Sequence, residues 1–362
     1  ICFMLVSPYY GGVVTVVSHL ISELDREKYD ISLVFDPNFP EIDVRLKNAR
    51  LIPIRLRGKG FLFDILKLYN IFRKEKFDIV HSHNSKTHII GIILSYMTGV
   101  RNRICTVHED LISILKSKDK YNYFNIFIYK LVFRISHRVI CVSNSTLEKN
   151  KALFLKNNTI VIRNGFNQNI YNNDAISSND NTVLTYLGRL EHDKGLHILI
   201  EALKFVNDKK NISLQIIGGS YNDLYVEKLK KQIIKSKLQN IYFYGVLKDF
   251  SNFLIKTDIV IVPSLLESMG YSILDAWSFR KAVIASNTDA IPEVITNNKN
   301  GLLFQKNNSS ELAQKIDYLI KNPQKRKFIG ENGFKKLKSD YSVNKFVSNM
   351  DVVYLHRTID KT

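Results

Sequence analysis

Two short runs of this chain hold the groups best suited to chemistry. The first, Ile259-Val-Ile-Val-Pro-Ser-Leu-Leu-Glu-Ser-Met-Gly-Tyr-Ser-Ile-Leu-Asp-Ala-Trp277, reads as a buried strand, a polar turn with Glu267 and Gly270, and then a helix. The unpaired N–H groups of that helix's first turn would face whatever Glu267 faces. Asp275 follows about one turn into the helix, so two carboxylates can address one ligand from different depths. Carboxylates accept hydrogen bonds from hydroxyl groups while backbone amides donate to others, which suits a polyhydroxylated ligand. The same spacing also describes a glutamate that caps a helix and an aspartate in water.

The second run is Tyr186-Leu-Gly-Arg-Leu-Glu-His-Asp-Lys-Gly-Leu-His197, in which Arg189 and Lys194 flank a turn closed by Gly195. Two cations at a strand-to-helix turn would neutralise a diphosphate, guanidinium through paired donors and ammonium as a point charge. They could equally be solvated, or pair with Glu191 and Asp193.

Such turns work only if a sheet positions them, because in open α/β sheets ligands sit beyond the carboxyl ends of the strands. Short β-branched runs alternate with amphipathic ones in two series, the pattern of a parallel sheet with crossover helices. The first includes Ile1–Val6, Ile31–Phe35, Ile79–His81, Ile104–Val107 and Val139–Val142. The second includes Val183–Leu187, Ser213–Ile217, Ile241–Tyr244, Ile259–Val262 and Ala282–Ala285. Between them Asn164–Asn181 holds seven asparagines and no sustained periodicity, as a linker would. The expected architecture is α/β: a Rossmann-like domain over 1–165, a linker over 166–181, a second Rossmann-like domain over 182–345, and a segment 346–362 that returns to the first domain.

A length of 362 residues, 45% hydrophobic and 24% charged, provides for about two folded domains and excludes a disordered or fibrous chain. Ile1–Val6 is apolar without a basic leader and reads as a buried first strand. The apolar run Ile89–Val100 is too short to span a bilayer. Cys2, Cys105 and Cys141 lie in strand-like stretches with no zinc spacing, and read as small buried residues of a reducing compartment. The net charge of +18, of which +11 falls in residues 1–165, favours a polyanionic partner: nucleic acid, an anionic membrane or a phosphorylated small molecule. No Gly-x-Gly-x-x-Gly follows a strand, which leaves little support for a nicotinamide enzyme.

These pieces together resemble the retaining GT-B glycosyltransferases of family 4, also called glycosyltransferase group 1. The likeness rests on Gly188-Arg189-Leu with Lys194-Gly195, Ile217-Gly218-Gly219, Phe243-Tyr-Gly245, Pro263-Ser264, Glu267-Ser-Met-Gly270, Ile291-Pro-Glu293 and Asn300-Gly301. More loosely, it includes Gly11-Gly12, Phe77-Asp-Ile-Val-His-Ser-His83, Thr106-Val-His108 and Asn164-Gly165. It implies two Rossmann-like domains facing across a cleft, with a nucleotide-diphosphate sugar, UDP-sugar favoured, held by the second and an acceptor by the first. Carried over by motif, Arg189 and Lys194 hold the diphosphate, and Glu267 with the amides of Ser268, Met269, Gly270 and Tyr271 holds the sugar hydroxyls. Gly12 lets the backbone approach the donor, and His108 contacts the donor sugar. The ribose hydroxyls fall to Asp275, where the family usually has the longer glutamate. No cofactor is implied, and with no Asp-x-Asp pair the two cations replace Mg²⁺ on the diphosphate.

Leu111–Arg138 interleaves Lys116, Lys118, Lys120, Lys130, Arg134 and Arg138 with six aromatics. That composition suits an anionic membrane surface, and equally a core helix with snorkelling lysines; a nucleic-acid partner is the weakest reading. With the family likeness, the expectation is a cytoplasmic enzyme peripheral to the inner face of the cell membrane, acting on a glycan or lipid-diphosphate-linked glycan during surface-polysaccharide synthesis. The alternatives are an epimerase or hydrolase of sugar nucleotides with the same fold, and a non-catalytic basic binding protein.

Overall fold

The computed structural model describes residues 1–6, 11–38, 42–56, 58, 60–116, 123–155, 157–167, 181–207, 209–220 and 223–355. The chain divides into two compact units, one of residues 1–167 and 341–362, the other of residues 168–340.

The first unit is built on seven parallel strands: β1 Cys2–Leu5, β2 Ser32–Phe35, β3 Arg50–Pro53, β4 Ile79–Ser82, β5 Asn102–Val107, β6 Arg138–Cys141 and β7 Thr159–Val161. Their order is β3-β2-β1-β4-β5-β6-β7. The register sets Cys2 beside Val80 and Ser82 beside Cys105, which brings the carboxyl ends of β1, β4 and β5 to one edge. Interior strands are buried on both faces, hence the unbroken apolar runs. The three cysteines are free and buried; burial pushes the Cys2 and Cys141 thiols up to about 12 and that of Cys105 to about 11.

The second unit has six parallel strands: β8 Thr182–Leu187, β9 Ile212–Ile217, β10 Ile241–Gly245, β11 Ile259–Val262, β12 Ala282–Asn287 and β13 Leu302–Gln305. Their order, β10-β9-β8-β11-β12-β13, repeats the reversal of the first sheet, so that β8 and β11 flank the point where the winding changes direction. That is where the doubly wound fold opens a crevice for ligand.

The helix Val343–Tyr354 belongs to the first unit. Ser342 caps it by accepting the Lys345 N–H, Phe166 N–H donates to the Tyr341 carbonyl at 2.8 Å, and Tyr29 donates its hydroxyl to Asp351 at 2.7 Å. Gly165 makes room for it, since a Cβ there would stand 2.7 Å from that of Phe346. The change of unit thus falls at Tyr341, ahead of Phe346, because Tyr341 is already buried in the first unit. The span 168–180, most of the expected linker, lies outside the described residues.

Among the described residues no helix is long and apolar enough to cross a membrane. The basic aromatic stretch contains the helix Tyr123–Ile135. One side of it, with Tyr129, Val132 and Phe133, enters the core, while Tyr123, Phe124, Phe127 and Leu131 are exposed. Lys118 and Lys120 fall outside the described residues, as does the side chain of Lys116.

Candidate active site

In the second unit the loops after β8, β9 and β11 interlock through backbone contacts that only glycine permits. Gly195 takes a left-handed conformation, φ 69°, where a Cβ would meet the Pro263 carbonyl oxygen at 2.0 Å. Gly218 lies against Gly188 in the same way, with 1.8 Å left for a Cβ. The Asp193 carbonyl then accepts the N–H groups of Leu265 at 2.7 Å and Leu266 at 3.2 Å, and Leu190 N–H reaches the Gly219 carbonyl at 2.7 Å. The cationic turn after β8 is thereby tied to the acidic turn after β11.

Lys194 and Glu267 meet at the centre of this junction. The ammonium donates to Glu267 Oε2 at 2.8 Å and to the Leu266 carbonyl at 3.2 Å. Ser264 donates its hydroxyl to the same Oε2 at 3.3 Å, while Oε1 accepts the Gly270 N–H at 3.1 Å. The side chains of Lys194 and Glu267 are only 20% and 14% exposed, so this pair is shielded where most surface pairs are not. Glu267 therefore caps the helix Tyr271–Ser278 and also faces a cation. Three of its roughly four acceptor directions are used, which leaves room for a ligand hydroxyl.

Gly270 sits at φ 82° as that helix's N-cap. Its N–H, assigned to ligand by sequence, goes to Glu267 instead, because the turn folds back on itself. Among the described residues the N–H groups of Ser268 and Met269 donate to nothing, and Tyr271 opens the helix. The Met269 side chain is buried, so this residue offers a ligand its backbone alone. Lys194, expected on a diphosphate, is held by the carboxylate in this structure. Arg189 is looser: half exposed, it donates to Asp193 at 3.3 Å, one of the pairings its neighbours allow.

Asp275 lies on the same helix without hydrogen bond or ion pair for its carboxylate among the described residues. It is not the solvated aspartate its spacing also allowed. Partly covered, it has its carboxyl pKa pushed up to about 7 by burial.

Gly12 and His108 belong to the first unit. Gly12 is exposed and opens the helix Gly12–Glu23 after β1. His108 follows β5 and is half-buried; burial pulls its imidazole down to about 3, so it is neutral. Its Nε2 lies 3.2 Å from Nδ1 of His83, the residue after β4.

Sequence reasoning did not single out Asp289, whose carboxylate accepts the Glu267 N–H at 3.0 Å and sets the pitch of that turn. Its only signal was an acid just past the end of β12. Ser264 and His83 stood in recognised motifs without a role.

Comparisons with known proteins identify the family and the fold. Residues 167–336 match the family Glycosyl transferases group 1, and residues 10–169 match Glycosyltransferase Family 4. An uncharacterized glycosyltransferase of Methanocaldococcus jannaschii is 30% identical over 356 residues, 96% of this chain and 95% of the relative. The UDP-Gal:alpha-D-GlcNAc-diphosphoundecaprenol alpha-1,3-galactosyltransferase of Escherichia coli is 27% identical over 380 residues, 98% of this chain and 96% of its own. Among solved structures, Anabaena HepE in complex with UDP and glucose superposes with a TM-score of 0.82 at 22% identity, covering 97% of both chains, which places the fold in the GT-B class. The chain belongs to the glycosyltransferase group 1 family and is a glycosyltransferase.

Proposed function

We propose that the chain transfers a hexose or N-acetylhexosamine, with retention of anomeric configuration, from a UDP-sugar to a lipid-diphosphate-linked glycan during surface-polysaccharide synthesis. The observation that carries this reading is the shielded Lys194–Glu267 pair beside the unpaired amides of Ser268 and Met269, at the switch point of the second sheet. One place thus offers a carboxylate acceptor, two N–H donors and a cation. The E. coli relative, a UDP-Gal enzyme acting on a diphosphoundecaprenol glycan, supports the donor and acceptor classes.

The transition state gathers positive charge on the sugar ring and negative charge on the departing diphosphate. Arg189, held at the surface among the described residues only by Asp193, is released to the diphosphate at a cost of about 1 kcal/mol or less. Lys194 is already fixed, and its charge spreads between Glu267 and the leaving group. Fixed donors of this kind lower such a barrier by several kcal/mol without reorganising during the reaction. Glu267 and the two amides orient the sugar hydroxyls, and Asp275 takes the ribose hydroxyls. A neutral His108 contacts the sugar without adding positive charge near the forming oxocarbenium. The acceptor attacks on the face the diphosphate leaves, assisted by a phosphate oxygen of the donor itself. No metal is required in this scheme, because Arg189 and Lys194 neutralise the diphosphate.

The exposed stripe Phe124, Phe127 and Leu131, next to exposed Lys130 and Arg134, supports a second element of the proposal, attachment to an anionic membrane that carries the acceptor.

The test is nucleotide release from UDP-, GDP- and ADP-sugars, with and without lipid-linked acceptor, with EDTA, and with Glu267→Ala. Acceptor-dependent release from one donor, unaffected by EDTA and lost in the variant, is expected. Release without acceptor would point to a hydrolase or epimerase and overturn the proposal.

A further inference from the structure

Beside His108 stands a second imidazole that the scheme above leaves without a task. His83 is 1% exposed. Its ring stacks on that of His108 with centroids 5.5 Å apart and planes at 26°, and its Nδ1 faces His108 Nε2 at 3.2 Å. On another side lies the ring of His81, 4.0 Å between centroids. His81 is itself fixed at both nitrogens, Nδ1 by the Tyr354 hydroxyl at 2.9 Å and Nε2 by Thr106 Oγ1 at 2.7 Å. The Nε2 of His83, by contrast, is enclosed and has no partner among the described residues. An unsatisfied buried polar atom costs about 1–3 kcal/mol, so an apolar side chain would fill this space with less loss.

Burial keeps His81, His83 and His108 neutral, so in the facing pair one nitrogen carries hydrogen and the other does not. If His108 donated, His83 would hold its own hydrogen on the enclosed Nε2, and orphaned buried N–H groups are rare. If His83 donates, its Nε2 is only a bare lone pair, and the hydrogen of His108 moves to Nδ1.

We propose that His83 is a positioning residue: its Nδ1–H donates to His108 Nε2 and holds His108 in the Nδ1-protonated tautomer, which presents an N–H donor to an oxygen of the donor sugar. This is the tautomer that neutral histidine disfavours in water, so a partner must impose it, as orienting partners do for other working histidines. The assignment rests on His108 touching the donor sugar, whereas the hydrogen bond itself does not.

The test reads two-bond ¹H–¹⁵N correlations of the imidazoles in the ¹⁵N-labelled full chain, with His108→Gln to assign the signal, alongside turnover of whichever UDP-, GDP- or ADP-sugar the donor screen selects. In the wild type His108 is expected to carry its hydrogen on Nδ1. His83→Leu is expected to shift it to Nε2 and to lower kcat roughly 10- to 100-fold, the range for losing a ring-orienting partner, with KM for the donor changed less than about 3-fold. His83→Asn, whose amide reaches the position of the lost N–H, is expected to restore the tautomer and most of kcat. Nε2 protonation of His108 in the wild type, or an unchanged tautomer in His83→Leu, overturns the proposal. If His83→Leu fails to fold, the wild type and His83→Asn decide it. The expected tautomer in a wild type that turns over no donor supports the hydrogen bond and overturns the transferase scheme instead.

Discussion

Lys194 and Glu267 satisfy each other so closely that neither can be altered without exposing the other's charge to a half-dry site. Lys194→Met leaves Glu267 with Ser264 and Gly270 as donors but no counter-charge, and should cost about 1–3 kcal/mol in urea unfolding. Turnover should fall about 100-fold or more, since in the proposed scheme the same ammonium serves the leaving group. Asp275 behaves differently because its carboxylate has no partner among the described residues. Its carboxyl, pushed up to about 7 by burial, keeps a proton in the folded chain that the unfolded chain releases near pH 4. Between those values the folded state binds more protons, so stability declines as pH rises through that window. Asp275→Asn should abolish the decline: unfolding midpoints in urea should match wild type at pH 4 and exceed it at pH 8. If Asp275 holds the ribose, the same variant should bind UDP more weakly at pH 8.

At the scale of elements, the site exists because two turns approach to backbone contact, and glycine sets that distance. Gly195 and Gly245 share φ 69°, but a Cβ on Gly195 would strike the Pro263 carbonyl while one on Gly245 would meet nothing within 4 Å. Gly245→Ala should therefore cost only the left-handed conformation, about 1–2 kcal/mol. Gly195→Ala should cost more, and it alone should abolish turnover by prising the Arg189–Lys194 turn from the Glu267 turn. Thermal unfolding and donor turnover of the two variants check both statements. The same contrast explains what could be read from sequence. Interior strands such as β1 and β11 are apolar throughout and easily recognised. The strands that passed unnoticed, Arg50–Pro53, Thr159–Val161 and Leu302–Gln305, are all sheet edges, whose half-exposed faces carry Arg50, Thr159 and Gln305. Arg189, Lys194 and Glu267 were legible because each follows an interior strand within a few residues. Asp289 beneath Glu267 and His83 against His108 were not, since each depends on the register between neighbouring strands.

For the whole molecule, the chain leaves its first unit, builds the second, and returns at Tyr341. Ending it at Asp340 removes the helix that holds His81 through Tyr354 and Tyr29 through Asp351. Hydrogen exchange should then accelerate in β1 and β4 while β8 and β11 keep their protection. The other whole-molecule property is the excess of positive charge, +18, with the first 165 residues the more basic part. Long-range attraction brings such a surface to anionic lipid but is weakened by salt, whereas inserted aromatic rings hold it there and are not. Phe124 and Phe127 are exposed on the helix Tyr123–Ile135 with Lys130 and Arg134, so in the proposed membrane contact both terms would act at one place. Burying a phenylalanine fully is worth about 1.5–3 kcal/mol, and a shallow interfacial site realises part of that. Replacing both with serine should lower affinity for phosphatidylglycerol vesicles roughly tenfold or more in a sedimentation assay, at low and high salt alike. Lys130→Gln with Arg134→Gln should lower it at low salt only. Equal binding to phosphatidylcholine and phosphatidylglycerol, or no effect of the serine pair, would remove this helix from the membrane contact and leave the acceptor to be reached from solution.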